Sequence, residues 1–210
     1  MKIADHIKAS LDACDSKELD KAMLFACLAV DGTAKKMYPH LKVGERFRRF
    51  IVDHLDIVEL MYGGLDLAET VFPFEDAKGK IGVKFEDVVY EKFRCSLAHG
   101  DELPDGYDIT VKVAEGIQQF MINIEGQSMT LPESVIYALG LPCVLAPPNA
   151  DQKIGSNAYH YRDPVNHYVV DRWWGKIECA RKIMDFESQV KVKMDFENVW
   201  PSQGDHRAGP

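Results

Sequence analysis

Apolar side chains recur every three or four positions through the first hundred residues, which is the spacing of an amphipathic α-helix. Between residues 17 and 38, for example, Leu19, Met23 and Val30 share one helical face. Short turn-forming stretches interrupt this pattern, so neighbouring helices are expected to pack side by side. The predicted helices cover about residues 2–14, 17–38, 43–62, 65–71 and 82–99. This order predicts an up-and-down helical bundle.

The pattern changes after residue 100. Residues 107–114 and 118–124 alternate apolar with polar side chains, which predicts a β-hairpin that turns at Glu115-Gly116. Further predicted elements are a helix at residues 131–145 with Pro132 in its first turn, a helix at 165–184 capped by Asp163-Pro164, and a strand at 190–196. We therefore expect a mainly α protein with a helical bundle over residues 1–103, a small C-terminal α+β extension over 104–200 packed on that bundle, and a flexible tail over 201–210.

Composition and charge narrow the class of protein. The chain has 210 residues, of which 46% are hydrophobic and 28% charged, a balance typical of globular proteins. Its formal net charge of −8 argues against binding to duplex DNA, which needs a broad basic face. A local basic cleft is compatible with this charge, and the run VGERFRRFI contains three arginines that could line one. Of these, we expect Arg46 and Arg49 to contact a substrate; otherwise the run is a solvated face.

Cysteine usage and hydropathy bear on the compartment. The five cysteines are scattered and form no pair at metal-binding spacing, which favours free thiols in a reducing cytosol. The first twenty residues carry charges every few positions and lack the apolar core of a signal peptide. Nowhere do 18 apolar residues run together, so no membrane span is expected. These features predict a cytoplasmic protein.

Two residues with chemical potential lie at the end of the helix predicted at residues 82–99. The segment RCSLAHG places Arg94, four further residues and His99 directly before Gly100, which is suited to ending a helix. Both residues lie off the apolar stripe that faces the core. An R-x4-H motif on a bundle helix resembles the HEPN superfamily (higher eukaryotes and prokaryotes nucleotide-binding), and the resemblance covers about the first half of the chain.

Members of this superfamily are helical bundles that usually dimerise, and many are metal-independent endoribonucleases of toxin–antitoxin, CRISPR and antiviral defence systems. The resemblance therefore implies a homodimer, RNA as a ligand, an antitoxin or another protein as a further partner, no cofactor and no metal, with Arg94 and His99 as catalytic residues. Active members often carry Asn, Asp or His directly after the arginine, where this chain has Cys95. Non-catalytic members exist, so the alternative is a non-catalytic dimerisation or partner-binding module.

The chemistry of RNA cleavage fits these two side chains. Attack by the 2′-OH on the adjacent phosphate requires removal of one proton, delivery of another to the leaving 5′-oxygen, and positive charge at the phosphate. An imidazole with an ordinary pKa near 6.5 can perform either proton transfer at neutral pH, and a guanidinium can hold the phosphate without a metal. We assign His99 as general acid/base and Arg94 as phosphate clamp. DNA lacks the 2′-OH, so such a site would cleave only RNA.

Helical geometry adds a condition to this assignment. Positions five apart differ by roughly 140° around an ideal α-helix, so Arg94 and His99 do not face one phosphate unless the helix unwinds near Gly100. A second copy of the chain across a two-fold axis would also bring the two groups together. We therefore expect a composite site at a dimer interface.

Structural explanations stand beside each of these assignments. Arg94 could instead pair with Glu91 or Asp101, and His99 could satisfy the last carbonyls of its helix. Asp31 is expected to be a buried partner of an arginine of the 46–49 run, and Asp31-Gly32 to mark close helix packing. His54, on an apolar face, is expected to be a hydrogen-bonded core residue.

A second polar segment, AYHYRDPVNHY, contains His160, Arg162, Asp163 and His167. Its spacing matches no strong zinc motif, and we interpret it as a capped helix start with aromatic packing. The chain also contains no Walker loop, no G-x-G-x-x-G and no G-x-S-x-G. Nucleotide hydrolysis, dinucleotide binding and serine-hydrolase chemistry therefore have no motif to support them.

Overall fold

The computed structural model describes most of the chain as far as residue 184. The described residues are 2–62, 65–75, 79, 81–111, 113–114, 117–118, 122–126, 128–163, 165–184, 186 and 193. The strand predicted at 190–196, apart from residue 193, and the tail predicted at 201–210 lie outside the described residues.

Four helices form the N-terminal part, and they follow the predicted order. They are α1 (Ile3–Asp15), α2 (Leu19–Met37), α3 (Val43–Asp53) and α4 (Leu55–Tyr62). Helices α1 and α2 pack closely, because Gly32 on α2 has no side chain: a Cβ there would overlap Cδ1 of Ile3 on α1. The close packing expected at Asp31-Gly32 is confirmed for Gly32.

His54 divides the helix predicted at residues 43–62 into α3 and α4. Its ring nitrogen Nδ1 lies 2.7 Å from the carbonyl oxygen of Phe50, the oxygen that the backbone N–H of residue 54 would bind in a continuous α-helix. That backbone N–H instead binds the carbonyl of Ile51, at 3.1 Å. The side chain therefore competes with the helix for one acceptor, and the helix breaks.

The prediction of a helix at residues 65–71 is wrong. These residues form turns, and the Glu59 carboxylate accepts hydrogen bonds there from the backbone N–H groups of Leu67 (2.9 Å) and Ala68 (3.2 Å). Two antiparallel strands follow, β1 (Phe72–Glu75) and β2 (Ile81–Val83). Because β2 occupies residues 81–83, the helix predicted from residue 82 starts only at Phe85.

That helix has three consecutive parts. They are α5 (Phe85–Val88), a π-helical segment (Val89–Arg94) and α6 (Cys95–His99). Val89, Phe93 and Leu97 are buried, at intervals of four residues. Such intervals drift by roughly 40° each around an ideal α-helix, and the wider π turn offsets the drift, so all three side chains still face the core.

The region after residue 103 contains small sheets. Strands β4 (Val113–Ala114) and β5 (Ile117–Gln118) pair antiparallel, and the turn predicted at Glu115-Gly116 lies outside the described residues. Strand β3 (Tyr107–Thr110), however, pairs in parallel with β7 (Ser128–Pro132), and β6 (Asn123–Glu125) pairs antiparallel with β7. Pro132 therefore ends a strand and does not begin the next helix.

Helix α7 (Ser134–Leu145) lies at the centre of the molecule. All its side chains are buried except that of Tyr137, which is partly exposed. It contacts α1, α2 and α4 of the N-terminal part. The helix predicted at 131–145 is thus confirmed from residue 134 onward, and its apolar surface on every side explains its central position.

The helix predicted at residues 165–184 is replaced by several shorter elements. Strands β8 (His160–Arg162) and β9 (His167–Val169) form a hairpin, followed by α8 (Val170–Trp173) and α9 (Ile177–Ile183). Gly175, with φ of +73°, separates the two helices. Asp163 does not cap a helix: its carboxylate accepts from the backbone N–H groups of Val165 and Asn166 and so closes the hairpin turn.

Polar contacts join the two halves of the chain. The Asn149 Nδ2 donates to Thr33 Oγ1 at 2.9 Å, and the Arg181 Nε donates to Asp56 Oδ2 at 2.7 Å. The fold is mainly helical, as predicted, and the C-terminal part packs on the N-terminal helices. Among the described residues, no helix has both the length and the apolar character that a membrane crossing needs.

Candidate functional site

Arg94 is held by an ion pair across the bundle. It is the last residue of the π-helical segment, and its Nε and Nη2 donate to the same oxygen, Oδ2 of Asp31 on α2, at 2.9 and 2.8 Å. The side chains of Arg94 and Asp31 are only 17% and 15% exposed. The prediction that Arg94 pairs with Glu91 or Asp101 is therefore wrong. The prediction that Asp31 pairs with an arginine of residues 46–49 is wrong as well. Packing of α2 against the π-helical segment decides the pairing instead.

The way in which Asp31 binds Arg94 has a chemical consequence. The carboxylate takes the edge formed by Nε and Nη2, so the end formed by Nη1 and the second Nη2 hydrogen is not used by this contact. The second carboxylate oxygen of Asp31, Oδ1, is buried and has no hydrogen-bond partner among the residues described. The ion pair therefore fixes the direction of the guanidinium while leaving donors for another acceptor.

A tyrosine and a second arginine extend this cluster. The guanidinium carbons of Arg48 and Arg94 lie 4.3 and 5.5 Å from the centre of the Tyr90 ring, within the range of cation–π attraction. Arg48 in turn binds Asp87 (2.6 Å) and Glu91 (2.9 Å). With Asp31, three carboxylates face two guanidinium groups, so this cluster carries a formal charge of −1. The net charge of this cluster therefore does not favour the binding of an anion.

His99 lies at an open helix end. It is the last residue of α6 and is exposed, and Gly100 after it adopts the left-handed conformation with φ of +81°. The N–H groups of Gly100 and Asp101 bind the carbonyls of Leu97 and Ser96, which completes the C-terminal cap. The imidazole has no hydrogen-bond partner within the described ranges, so its ring nitrogens are open to a ligand.

The backbone between Arg94 and His99 is an ordinary α-helix. The distortion lies before Arg94, in the π-helical segment, and not between the two residues as an unwinding near Gly100 would require. Their Cα–Cβ bonds therefore still point roughly 140° apart around the helix. Within one chain the pair does not face a common phosphate, and the geometric argument for a second copy holds.

Among the residues described, neither of the two arginines expected to contact substrate shares an ion pair or an aromatic ring with Arg94. Arg49 is exposed and binds Asp53 on its own helix at 2.8 Å. Arg46 is partly buried, with an Nε that has no partner in the described structure. Arg48 is the member of the run that reaches the Arg94 cluster, through Tyr90. The sequence held a signal for this, since Asp87 and Glu91 lie four residues apart on the helix that Arg48 contacts.

His54 is a core residue, as expected. It is 3% exposed, and the contact with the Phe50 carbonyl requires a proton on Nδ1. Burial lowers the pKa of His54 below its ordinary 6.5, and the positive charge of Arg181 contributes in the same direction. These features suit a neutral structural imidazole.

The segment with His160 and His167 forms no obvious metal centre. No three His, Cys, Asp or Glu side chains come together in a way that would hold a metal ion anywhere in the described ranges. All five cysteines are free thiols, as predicted, and Cys95 next to Arg94 is partly exposed.

Sequence comparison places the chain among relatives. It matches the family described as Rv1289 over residues 2–200, nearly its whole length. The chain belongs to the Rv1289 family. It is 32% identical over 204 residues to the uncharacterised protein Rv1289 of Mycobacterium tuberculosis (strain H37Rv), covering 95% of this chain and 96% of the relative. The uncharacterised protein Mb1320 of Mycobacterium bovis shows the same identity and coverage.

No solved structure matches the chain. The family match spans both the helical N-terminal part and the region of small sheets, so it does not depend on the segment with Arg94 and His99 alone.

Proposed function

We propose that this member of the Rv1289 family is a HEPN-like RNA-binding protein that acts as a dimeric, metal-independent endoribonuclease. The observation that carries the proposal is the ion pair between Asp31 and Arg94. It orients the guanidinium from one edge and leaves its outer N–H groups out of that contact, while His99 stands exposed on the same helix. An oriented cation and an open imidazole are the two groups that RNA cleavage without a metal requires.

In this proposal the outer N–H groups of Arg94 bind a non-bridging phosphate oxygen and stabilise the charge that develops during attack by the 2′-OH. His99 of the other copy removes the 2′-OH proton or protonates the leaving 5′-oxygen. The roughly 140° between the two side-chain directions is the reason for drawing them from different copies. The exposed end of α6 is the surface at which the copies meet.

The first experiment is cleavage of single-stranded RNA in the presence of EDTA. We expect wild type to cleave, and both His99→Ala and Arg94→Gln to lose at least about a hundredfold in rate. His40→Ala is the matched control, because His40 is an exposed histidine outside the cluster and its replacement should leave the rate unchanged. Cleavage that persists in His99→Ala, or that vanishes with EDTA in wild type, would refute the enzyme.

A mixing experiment tests the composite site. When inactive Arg94→Gln and His99→Ala proteins are unfolded together and refolded, half of the dimers are mixed, and each mixed dimer has one of its two sites intact. About a quarter of wild-type activity should return. No recovery, with mixed dimers shown by mass spectrometry, would place both groups in one chain and contradict the composite site.

A second candidate function is a non-catalytic dimerisation or partner-binding module, for example in a toxin–antitoxin or other defence complex. The observation that favours it is the charge of the cluster, in which three carboxylates outnumber the two guanidinium groups. Under this proposal the Arg94–Asp31 pair stabilises the bundle and has no contact with RNA. A clean dimer in light scattering, together with RNA that stays intact with every variant, would support the module over the enzyme.

A further inference from the structure

The outer face of the β8–β9 hairpin gathers three groups that can carry positive charge. Side chains alternate along both strands: His160, Arg162 and His167 are exposed, whereas Tyr161 and Tyr168 point inward and are buried. Arg162 lies directly opposite His167 in the antiparallel register, and the rings of His160 and His167 are 4.3 Å apart between centres. The hairpin therefore fixes the three groups next to one another.

Among the residues described, the adjacent carboxylate of Asp163 forms no ion pair with these groups, because its oxygens bind other donors. Asp163 is 4% exposed and accepts four hydrogen bonds, from the backbone N–H groups of Val165 and Asn166, the Asn166 side chain and the Tyr168 hydroxyl. Four bonds fill the acceptor capacity of a carboxylate. Within the described part of the chain, Arg162 has no ion-pair partner, nor does either histidine.

An open cavity adjoins this face. Its volume is about 310 Å³, and it is lined by Arg162, Asp163, Val165, Asn166 and His167. Asn166 holds its wall in place by donating to Asp163 and to the carbonyl of Ile183. Val165, at 72% exposure, presents an apolar side chain to the solvent. The space suits a phosphate group with a small organic substituent.

We propose that this cavity is a phosphate-binding site in which Arg162 and His167 are the ligands, with the ring of His160 packed beside that of His167. A guanidinium binds phosphate through paired N–H groups, and a protonated imidazole adds charge and a hydrogen bond. The pKa of His167 lies below its ordinary 6.5, through partial loss of solvent and then the charges of His160 and Arg162. A bound anion reverses the last two effects and favours the protonated ring. This site shares no residue with the proposed ribonuclease site at Arg94 and His99, and it does not rest on the ribonuclease proposal.

The test is a titration followed by NMR of the histidine Hε1 signals, with inorganic phosphate as the probe. We expect a saturable shift of the His167 signal and a rise in its pKa of about half a unit or more. Arg162→Gln should weaken binding by about tenfold. The matched control is Arg172→Gln, which removes the same charge from an exposed position on α8 and should bind like wild type. His167→Gln provides a second variant and should also weaken binding.

Several results would overturn the site. They are a wild-type signal that does not move or does not saturate, an Arg162→Gln protein that binds like wild type, or an equal loss in Arg172→Gln. Uridine 5′-monophosphate and the dinucleotide uridylyl-uridine then distinguish two sources of phosphate. Tighter binding of the monophosphate assigns a terminal phosphate, and tighter binding of the dinucleotide assigns the backbone of a strand. RNA cleavage by Arg162→Gln at the wild-type rate would separate this site from the one at His99.

Discussion

At the scale of single residues, the stability of the fold depends on both members of the ion pair between Asp31 and Arg94. Both side chains are mostly withdrawn from solvent, so removing one charge leaves the other with poor solvation. We expect Asp31→Asn to lower the free energy of unfolding by about 2 kcal/mol, less than for a fully buried pair because some solvent reaches both groups. Urea denaturation followed by circular dichroism measures this change.

A double-mutant cycle then isolates the interaction itself. Asp31→Asn and Arg94→Met should be non-additive, with a coupling free energy of about 1–3 kcal/mol, since each single change removes the same contact. The comparison is Asp31→Asn with Arg49→Met, which should be additive, because Arg49 is exposed and pairs with Asp53 and not with Asp31. Additivity of the first pair within about 0.5 kcal/mol would mean that the ion pair does not form in solution.

His54 predicts a dependence of stability on pH. Its pKa in the folded protein lies below the ordinary 6.5, chiefly because burial disfavours the charged ring. The positive charge of Arg181 also lowers this pKa, whereas the carboxylates of Asp56 and Asp53 raise it. Between the folded pKa and 6.5 the unfolded chain binds more protons, so stability rises with pH through this window and falls on acidification below about 6.5. The loss can reach at most about 1.4 kcal/mol for each pH unit.

The measurement is the difference in unfolding free energy between pH 7.5 and pH 5.5. This difference should shrink in His54→Gln, which keeps a hydrogen-bond donor near the Phe50 carbonyl and cannot titrate, and should be unchanged in His40→Gln. The pKa values of His6 and His167 are lowered too, so the variant should keep part of the dependence. An identical slope in wild type and His54→Gln would show that this imidazole is not buried neutral.

At the scale of elements, the contact between α7 and the β8–β9 hairpin depends on one glycine. A Cβ at Gly140 would overlap the Tyr161 hydroxyl and lie 3.0 Å from Cζ of the same ring, and a buried aromatic ring has little room to move. Gly140→Ala gains about 1 kcal/mol of helix propensity, yet overpacking costs about 1–3 kcal/mol, so we expect a net loss of roughly 1 kcal/mol.

Thermal unfolding of matched variants tests this packing. Tyr161→Phe removes the oxygen that meets the new methyl group, so it should restore part of the stability lost in Gly140→Ala. Gly126→Ala is a glycine replacement with no neighbouring atom in the way, where only the positive φ of +59° opposes a side chain. A Gly140→Ala protein more stable than wild type would mean that α7 and the hairpin are not in contact.

The sequence predicted some elements well because their signals are local. The apolar period of α1 and α2 is long and regular, whereas α7 is apolar on every side, and these local signals were sufficient to place the three helices. The β1–β2 hairpin was missed since its first strand has only four residues and contains Pro73, which by local rules ends an element. The π turn was missed because it compensates for tertiary packing, a constraint that no window of sequence contains.

The candidate site, too, was predicted only in part from the sequence. The position of Arg94 and His99 on one helix, and the angle between them, followed from residue spacing. Their surroundings did not, because Asp31 lies 63 residues before Arg94 along the chain and only the packing of α2 brings them together. Likewise, the aromatic contact that makes Arg48 the neighbour of Arg94 depends on how α3 crosses the Tyr90 face.

At the scale of the whole molecule, α7 serves both halves of the chain. It supplies the buried side chains against which α1, α2 and α4 pack, and α8 and α9 contact it as well. We therefore expect a fragment of residues 1–103 to lack stable tertiary structure, whereas the full chain unfolds in one transition. Proton NMR dispersion of the fragment and calorimetry of the full chain are the measurements.

A matched control is the fragment of residues 1–150, which retains α7. It should recover dispersed signals that the shorter fragment lacks, because the apolar faces of the N-terminal helices regain their partner. If residues 1–103 fold cooperatively alone, the bundle is self-sufficient and α7 merely covers it.

The position of α7 along the chain has a consequence for biosynthesis. The four N-terminal helices leave the ribosome on the order of 10 s before α7 does, at ordinary rates of translation. Throughout this interval the apolar surfaces of α1, α2 and α4 that pack on α7 have no partner, so the nascent chain depends on chaperones or on rapid elongation to avoid association with other chains. Slowing translation between the codons for residues 62 and 134 should therefore lower the yield of native protein without any change in its amino-acid sequence.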